Sequence, residues 1–226
     1  PLTDKIVAAI AELTPTPVTF VMNSHFHYDH TDGNTNFGRA GAYIVAQDNA
    51  RKRMESTQVL SGSGRVQPPY EAVGLPKITF EESMRFYLNG NEVEIINTGD
   101  GHTDGDAQIY FHEANVTGDM YVRYGLPFID RDNGGTADGM IDALWNIAAL
   151  INDDTIIIPG HGQLATRDDL LEFRNMLVVI RGNLVRAKVQ GLSFEEMLAT
   201  EPARGYAAND DNTRGWLQQA YAEYTN

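Results

Sequence analysis

Three histidines and an aspartate fall within six consecutive residues of this chain, His25-Phe26-His27-Tyr28-Asp29-His30, directly after the apolar run 18–22. Imidazole and carboxylate groups are good ligands for zinc and related divalent metals. A catalytic zinc ion takes about three ligands from its protein and keeps one position open for water. Four ligands in one segment therefore indicate two metal ions rather than one. A chance cluster is disfavoured because the chain has only six histidines, and half of them lie here.

Three further segments contain candidate ligands beside glycines, and each directly follows a predicted strand. They are Gly99-Asp100-Gly101-His102, Gly118-Asp119 and Pro159-Gly160-His161-Gly162. Glycine lets the backbone turn sharply and approach a ligand closely. Each segment alone is a weak signal, but their shared placement at strand ends, together with the histidine cluster, predicts one common site. We predict a surface position for the sixth histidine, His112, at the end of the strand that begins near residue 107.

Composition limits the chemistry and the partners. The chain contains no cysteine, which excludes disulfides, thiolate ligands and cysteine nucleophiles, so any metal is held by histidine, carboxylate and water. The formal net charge of −14 opposes binding to nucleic acid or to anionic membrane surfaces. No apolar stretch approaches the roughly 18 residues that a membrane-spanning helix needs. We therefore expect a small-molecule substrate and neither a nucleic acid nor a membrane partner, whereas the oligomeric state stays unknown.

Helices and strands alternate along the sequence, which indicates an α/β layered domain. We expect a single domain over 1–226 with approximate halves 1–113 and 114–226. Thr3 or Asp4 is the expected cap of the first helix, and Ser193 with Glu196 forms a capping box for a later one. The segment 61–76 is rich in glycine and proline, so we predict a surface loop that borders a pocket and forms a substrate flap. The predicted helices are 3–13, 34–39, 47–57, 137–152, 168–189 and 214–224, and the predicted strands are 18–22, 42–46, 78–80, 85–88, 92–97, 107–111, 115–117 and 155–158.

The order and spacing of these candidate ligands are similar to the ligand set of the metallo-β-lactamase superfamily. The resemblance implies an αββα sandwich, in which two mixed β-sheets are flanked by helices and the metals lie at one edge of the sheets. Members of this family usually begin with a β-hairpin before the first helix, whereas this chain opens almost directly at that helix. We therefore expect the first sheet to lack the N-terminal strands, or to receive them in some other way.

The resemblance also implies a role for each candidate ligand. The first metal would be bound by His25, His27 and His102, the second by Asp29, His30 and His161, and Asp119 would bridge both. Two Zn²⁺ ions are expected, with iron or manganese open because nitrogen and oxygen ligands accept all three. A hydroxide between the metals would attack a carbonyl, since a metal lowers the pKa of bound water to about 7. Asp29 would orient this water and later pass a proton to the leaving group.

Several branches of the superfamily are disfavoured by the sequence. The lack of cysteine excludes lactamases with a cysteine ligand, and flavin-linked diiron members usually have glutamate where His27 stands. Acidic charge opposes a nuclease. The segments around Asp119, Asp130 and His161 resemble those of bacterial β-lactamase-like hydrolases, so hydrolysis of a small cyclic amide or ester is the leading function, with a β-lactam as the leading substrate. A thioester or lactone hydrolase, similar to glyoxalase II, is the alternative, and an iron-dependent redox enzyme is less favoured.

Aromatic residues near the ligands in sequence are candidates for the substrate pocket, although plain packing explains them equally well. These residues are Tyr28, Tyr121, Tyr124 and Phe128. Asp104 and Asp106 follow His102 closely and are either partners of a ligand histidine or part of a polar turn. Relatives of this kind are often exported, which favours the periplasm over the cytoplasm.

Overall fold

Two β-sheets pack face to face between layers of helices in the computed structural model, which describes residues 2–111 and 113–224. The predicted position of His112 falls outside the described residues. The helices are α1 (Thr3–Leu13), α2 (Tyr28–Thr31), α3 (Asn34–Arg39), α4 (Asp48–Met54), α5 (Ala137–Leu150), α6 (Arg167–Val189), α7 (Phe194–Ala199) and α8 (Asp211–Glu223). The strands are β1 (Phe20–Met22), β2 (Tyr43–Gln47), β3 (Gln58–Val59), β4 (Val66–Gln67), β5 (Ile78–Phe80), β6 (Ser83–Leu88), β7 (Asn91–Gly99), β8 (Asp106–Phe111), β9 (Ala114–Val122) and β10 (Ile156–His161).

The first sheet has three parallel strands in the order β1-β2-β5. The second sheet is mixed: its five strands have the order β10-β9-β8-β7-β6, and β10 is parallel to β9 while the other pairs are antiparallel. A separate antiparallel ribbon joins β3 to β4. The expected α/β sandwich is thus confirmed, although only the second of its two sheets is mixed.

Apolar residues at alternate strand positions form the core between the two sheets. Val93 and Ile95 on β7 point inward with Ile109 on β8, and Val45 of β2 faces them from the other sheet. A second core lies between the five-stranded sheet and the helices α5, α6 and α8. Burial of each large aliphatic side chain contributes about 1.5–3 kcal/mol, so these two cores fix the positions of the strand ends.

The first helix has the predicted bounds, but its predicted cap is wrong. Residue Leu2 occupies the N-cap without a side-chain hydrogen bond, and Thr3 is buried, where its hydroxyl oxygen accepts a hydrogen bond from Asn36. Ile6 and Val7 remain 47% and 45% exposed. Among the described residues β1 pairs only with β2, so it is an edge strand of the first sheet.

Two candidate ligands lie inside strands rather than after them, which corrects the predicted strand ends. Strand β9 continues through Asp119, and β10 includes His161. The register between these strands shifts on both sides of Pro159, so the pair is irregular where the ligands lie. The sequence breaks suggested by Gly118 and Gly160 therefore coincide with shifts in the strand register and not with strand ends.

Shorter signals have mixed outcomes. The capping box of Ser193 and Glu196 is present at α7, and the turn at Asn89-Gly90 joins β6 to β7 with both residues at positive φ. The segment 61–76 is not entirely a loop, because β4 pairs with β3 and gives it a hairpin. None of the helices in the described part of the chain combines the length and the apolar character needed to cross a bilayer.

Candidate metal centre

Seven predicted ligand side chains converge at one edge of the sandwich. Glycine allows the backbone of β9 to lie close to Ser24: Gly118 has a φ of 55°, and an added Cβ would lie 2.7 Å from the Cβ of Ser24. An added Cβ on Gly160 would overlap the Asp119 carboxylate. The loop that carries His27 is fixed by Thr31, whose hydroxyl lies within hydrogen-bond distance of the His27 carbonyl at 2.7 Å.

Three imidazoles form the first ligand group, and all three are buried. One ring nitrogen each of His25, His27 and His102 lies within 4.8 Å of the others. The distance between His27 Nδ1 and His102 Nε2 is 2.8 Å. His25 Nδ1 lies 3.2 Å from the Ser24 hydroxyl, and His25 Nε2 is buried without a hydrogen-bond partner.

The far ring nitrogens of two of these histidines have acceptors that set the tautomer. His27 Nε2 donates to Asp130 Oδ2 at 2.8 Å, and His102 Nδ1 donates to the Phe128 carbonyl at 2.6 Å. A neutral imidazole carries one N–H, so the nitrogens that face each other, His27 Nδ1 and His102 Nε2, both present lone pairs. Two lone pairs 2.8 Å apart repel each other unless a cation lies among them.

The second ligand group is more open to solvent. Asp29 is exposed, and His30 and His161 are partly buried. His161 Nε2 lies 3.1 Å from Asp29 Oδ2 and 3.3 Å from His30 Nε2, and the distance from His30 Nε2 to Asp29 Oδ2 is 3.5 Å. This exposure makes the second group the side from which a substrate can approach.

The Asp119 carboxylate contacts both groups. Its Oδ1 lies 3.2 Å from His30 Nε2, and its Oδ2 lies 3.4 Å from His161 Nε2 and 3.6 Å from His102 Nε2. The side chain is buried; Oδ1 faces the second ligand group, and Oδ2 contacts one histidine of each group. The carboxylate therefore lies within reach of both groups.

Burial and neighbouring charges shift the pKa values of these groups in different directions: the first group is favoured in its metal-binding neutral form, whereas the carboxylates of the second group favour the protonated form of His30. Burial lowers the pKa of His25 and of His102, which favours the neutral imidazole that binds metals. Burial alone would raise the pKa of Asp119, but hydrogen bonds from His161 and His30 outweigh it and hold this pKa well below its ordinary value. For His30, the opposing burial is likewise outweighed by Asp119 and Asp29, and its pKa rises to about 9.

The donor set fits two divalent cations. Ligand nitrogens about 2.0–2.1 Å from a tetrahedral zinc ion lie about 3.3 Å from one another. The separations between the ligand atoms of this site, 2.8–3.6 Å, are centred close to that value. Nitrogen and carboxylate oxygen ligands suit zinc, iron and manganese, and the unpartnered His25 Nε2 gains a bond when a cation is present.

Sequence reasoning missed the role of Asp130. This carboxylate is fully buried, and besides His27 it accepts hydrogen bonds from Asn133 Nδ2 at 2.8 Å and from the Ser61 amide at 3.0 Å. Asp130 lies 103 residues from His27 in the chain, so only the fold reveals the pair. Its position in the segment 127–130, which already resembled related hydrolases, was the one available signal.

The two aspartates after His102 have different roles. Asp106 accepts hydrogen bonds from the backbone amides of His102 and Thr103, at 2.6 Å and 2.9 Å, and holds this loop rather than an imidazole. Burial raises the pKa of Asp106 to about 6. Asp104 pairs with Arg53 at 2.6 Å, so it is not a partner of a ligand histidine.

Two of the four candidate pocket residues have rings close to those of the ligands. The Tyr124 ring is half-exposed and lies 6.0 Å from the His161 ring, and the Phe128 ring lies 5.8 Å from that of His102. Tyr28 lies between two ligands in the chain and carries a stacked guanidinium. Tyr121 is different: it is buried against Phe173 of α6, with its hydroxyl 3.2 Å from Arg123, and packs in the helical core.

Comparisons with known proteins agree with this geometry. The family model described as the metallo-beta-lactamase superfamily matches residues 1–161, and the chain belongs to this superfamily of metal-dependent hydrolases. A protein of Methanocaldococcus jannaschii named as a probable metallo-hydrolase is 28% identical over 157 residues, which cover 66% of this chain and 72% of that protein.

Solved structures show the same fold at low sequence identity. A metallo-β-lactamase from Pontibacter korlensis superposes with a TM-score of 0.62 and 16% identity, over 77% of this chain and 75% of that one. The DIM-1 metallo-β-lactamase gives a TM-score of 0.60 and 15% identity, over 77% and 75% of the two chains. At these identities the likeness supports the fold and not a substrate.

Proposed function

We propose that this protein is a dinuclear hydrolase that opens a small cyclic amide or ester, with a β-lactam as the leading substrate. The observation that carries the proposal is the Asp119 carboxylate, which contacts ligand groups on both of its sides. One cation would be held by His25, His27 and His102, and the other by Asp29, His30 and His161. Two zinc ions are the proposed occupants.

Bound cations here would lower the pKa of a water molecule and polarise a substrate carbonyl. The protein supplies the remaining functions. Asp29 lies on the open side, and hydrogen bonding from His30 outweighs burial and lowers its pKa, so it is ionised at neutral pH and accepts a proton before it donates one to the leaving group. Phe128 borders the first ligand group and Tyr124 the second, so both rings could contact a bound substrate.

A thioester or lactone hydrolase is the second candidate. The relative at 28% identity is named only as a probable metallo-hydrolase, and the lactamases among the solved structures are 15–16% identical to this chain, so these comparisons leave the substrate to experiment. The same ligand groups would serve both reactions, because both involve addition of water to a carbonyl. The difference lies in the pocket walls.

Turnover assays decide between these candidates. Zinc-loaded protein is tested with a chromogenic cephalosporin, a set of acyl-thioesters and a set of lactones. We expect turnover of the cephalosporin, with loss on chelation and in His102→Ala. Turnover of thioesters or lactones alone would replace the lactam proposal, and the absence of all turnover in fully metallated protein would refute both. Protein purified without added metal, if it contains iron and consumes oxygen, would instead support the redox alternative.

A further inference from the structure

The Arg65 guanidinium differs from those of the other arginines because it has no oxygen partner among the described residues. Every other arginine in the described part of the chain has its guanidinium within reach of a carboxylate, a carbonyl or an amide oxygen. Among the described residues, Arg65 makes no such contact through its side chain. In a protein with a net charge of −14, an arginine without an acidic partner is unexpected.

The Arg65 side chain is nevertheless held in place by an aromatic ring. Its Cζ atom lies 3.3 Å from the centroid of the Tyr28 ring. Stacking of this kind uses the face of the guanidinium and leaves its five N–H donors at the edge of the plane. A cation that is fixed through its face and free along its edge is arranged to bind a carboxylate through two parallel hydrogen bonds.

The hairpin that carries Arg65 is attached to the metal centre at several points. The Leu60 amide donates to the Arg65 carbonyl at 2.9 Å and closes the turn of the hairpin. The Ser61 amide donates to Asp130 Oδ1 at 3.0 Å, on the same carboxylate that holds His27. Because of these contacts, the position of Arg65 is fixed relative to the ligands, even though its side chain is exposed to solvent.

The location of Tyr28 places this cation at the rim of the site. Tyr28 lies between His27 and Asp29 in sequence, and its ring packs on the same apolar cluster as Phe128. A cavity of about 340 Å³ opens between α2 and the hairpin, lined in part by Tyr28 and Arg65. Tyr28 is thus the residue that joins the lining of this cavity to the segment that carries the ligands.

Two carboxylates also line the cavity, but both have partners. Asp32 accepts a hydrogen bond from the Tyr70 hydroxyl at 2.8 Å, and Glu71 forms an ion pair with Arg39 at 2.6 Å. Neither forms an ion pair with Arg65. Arg65 is therefore a cationic side chain of the lining that no carboxylate of the described residues engages, whereas Glu71 is paired with a cation and Asp32 is held by a neutral hydroxyl.

We propose that Arg65, held on the Tyr28 ring, binds a carboxylate of the substrate and makes this protein selective for anionic substrates. This inference rests on the proposed hydrolase function. A carboxylate placed at a distance from the reacting carbonyl would be bound by Arg65 while the carbonyl lies at the ligand groups. Because most of the surface repels anions, this contact selects a defined orientation rather than a general affinity for anions.

The first test measures selectivity with matched pairs of substrates. Each pair contains a carboxylate-bearing compound and its neutral counterpart: a chromogenic cephalosporin and its methyl ester, and a nitrophenyl hemiglutarate and the corresponding butyrate. In zinc-loaded wild-type protein we expect kcat/KM to favour the anionic member by about tenfold, as one charge-assisted contact provides. Arg65→Gln should bring the ratio towards one, chiefly through KM, and Arg65→Lys should restore part of it.

Two further variants separate the role of the residue from general effects of charge. Tyr28→Leu removes the stacking partner and should also reduce the ratio. Arg85→Gln removes an exposed arginine on β6 that pairs with Glu94, and should leave the ratio at the wild-type value. A ratio unchanged in Arg65→Gln, or reduced equally in Arg85→Gln, would overturn the proposal.

The second test does not depend on turnover, so it separates this inference from the proposed function. Calorimetry measures binding of dicarboxylates of increasing length, from malonate to suberate, and of matched monocarboxylates to zinc-loaded protein. We expect one length to bind about tenfold more tightly than its monocarboxylate in the wild type and not in Arg65→Gln. If no length shows this preference, the Arg65 proposal is overturned whether or not any substrate is hydrolysed.

Discussion

Replacing Asp130 by asparagine tests whether the metal centre depends on a carboxylate outside the predicted ligand set. Three donors converge on this side chain: His27 Nε2 and Asn133 Nδ2 at Oδ2, and the Ser61 amide at Oδ1. Asparagine replaces one oxygen with an NH₂ group, so at least one of these donors faces another donor. If the NH₂ group faces His27, the imidazole must move its proton to Nδ1, the nitrogen that points into the first ligand group.

The magnitude follows from the contacts that are lost. Loss of a hydrogen bond to a charged group costs about 1.5–3 kcal/mol. Substitution of a partner that orients a ligand histidine typically lowers metal affinity or activity by about 10–100-fold. We therefore expect Asp130→Asn to weaken zinc binding by about 10–100-fold, or about 1.4–2.8 kcal/mol.

The assay is a competition titration of zinc against a chromophoric chelator, with thermal unfolding of the metal-free protein measured in parallel. Asp132→Asn is the matched control, because Asp132 is exposed in the same turn and only its backbone amide is used, as a donor to Ser61. Wild-type zinc affinity in Asp130→Asn, with only a lower unfolding temperature, would refute the proposed role and leave Asp130 a structural residue.

Two further predictions concern a glycine and a buried glutamate. Gly160→Ala places a methyl group against the Asp119 carboxylate, so metal content and activity should fall. The control Gly182→Ala lies in open space within α6 and should raise the free energy of unfolding by about 0.5–1 kcal/mol. Equal metal content in the two variants would contradict this prediction. Burial, reinforced by the charge of Asp138, raises the pKa of Glu223 from 4.5 to about 7, so the stability it contributes is present below pH 4.5 and is lost as pH rises to about 7. In chemical denaturation, Glu223→Gln should gain stability relative to the wild type between pH 5 and 8, and a difference that does not vary with pH would contradict the assignment.

The metal centre was largely predictable because a cluster of imidazole and carboxylate groups in a short segment is uncommon outside metal sites. The six-residue segment 25–30 concentrates imidazole and carboxylate groups, and the family resemblance ordered the other candidates correctly along the chain. The fold brings all seven together, with Asp119 between the two groups. Their metal-binding role itself remains a proposal.

Other features depend on contacts that the sequence does not display. Asp130 and Arg65 lie far in sequence from their partners, His27 and Tyr28. Their roles are visible only because tertiary packing brings each pair together. Tyr121 shares its neighbourhood in sequence with Asp119, yet the irregular strand β9 directs it into the helical core. Ile6 and Val7 of α1 remain 47% and 45% exposed, which no pattern in the sequence indicated.

Anomalous scattering at the zinc edge, from crystals of zinc-loaded wild-type protein, tests the central claim most directly. The account predicts two peaks in each chain. One should lie among His25, His27 and His102, and the other among Asp29, His30 and His161, with the Asp119 carboxylate reaching both. A single peak, no peak, or peaks away from these side chains would contradict it.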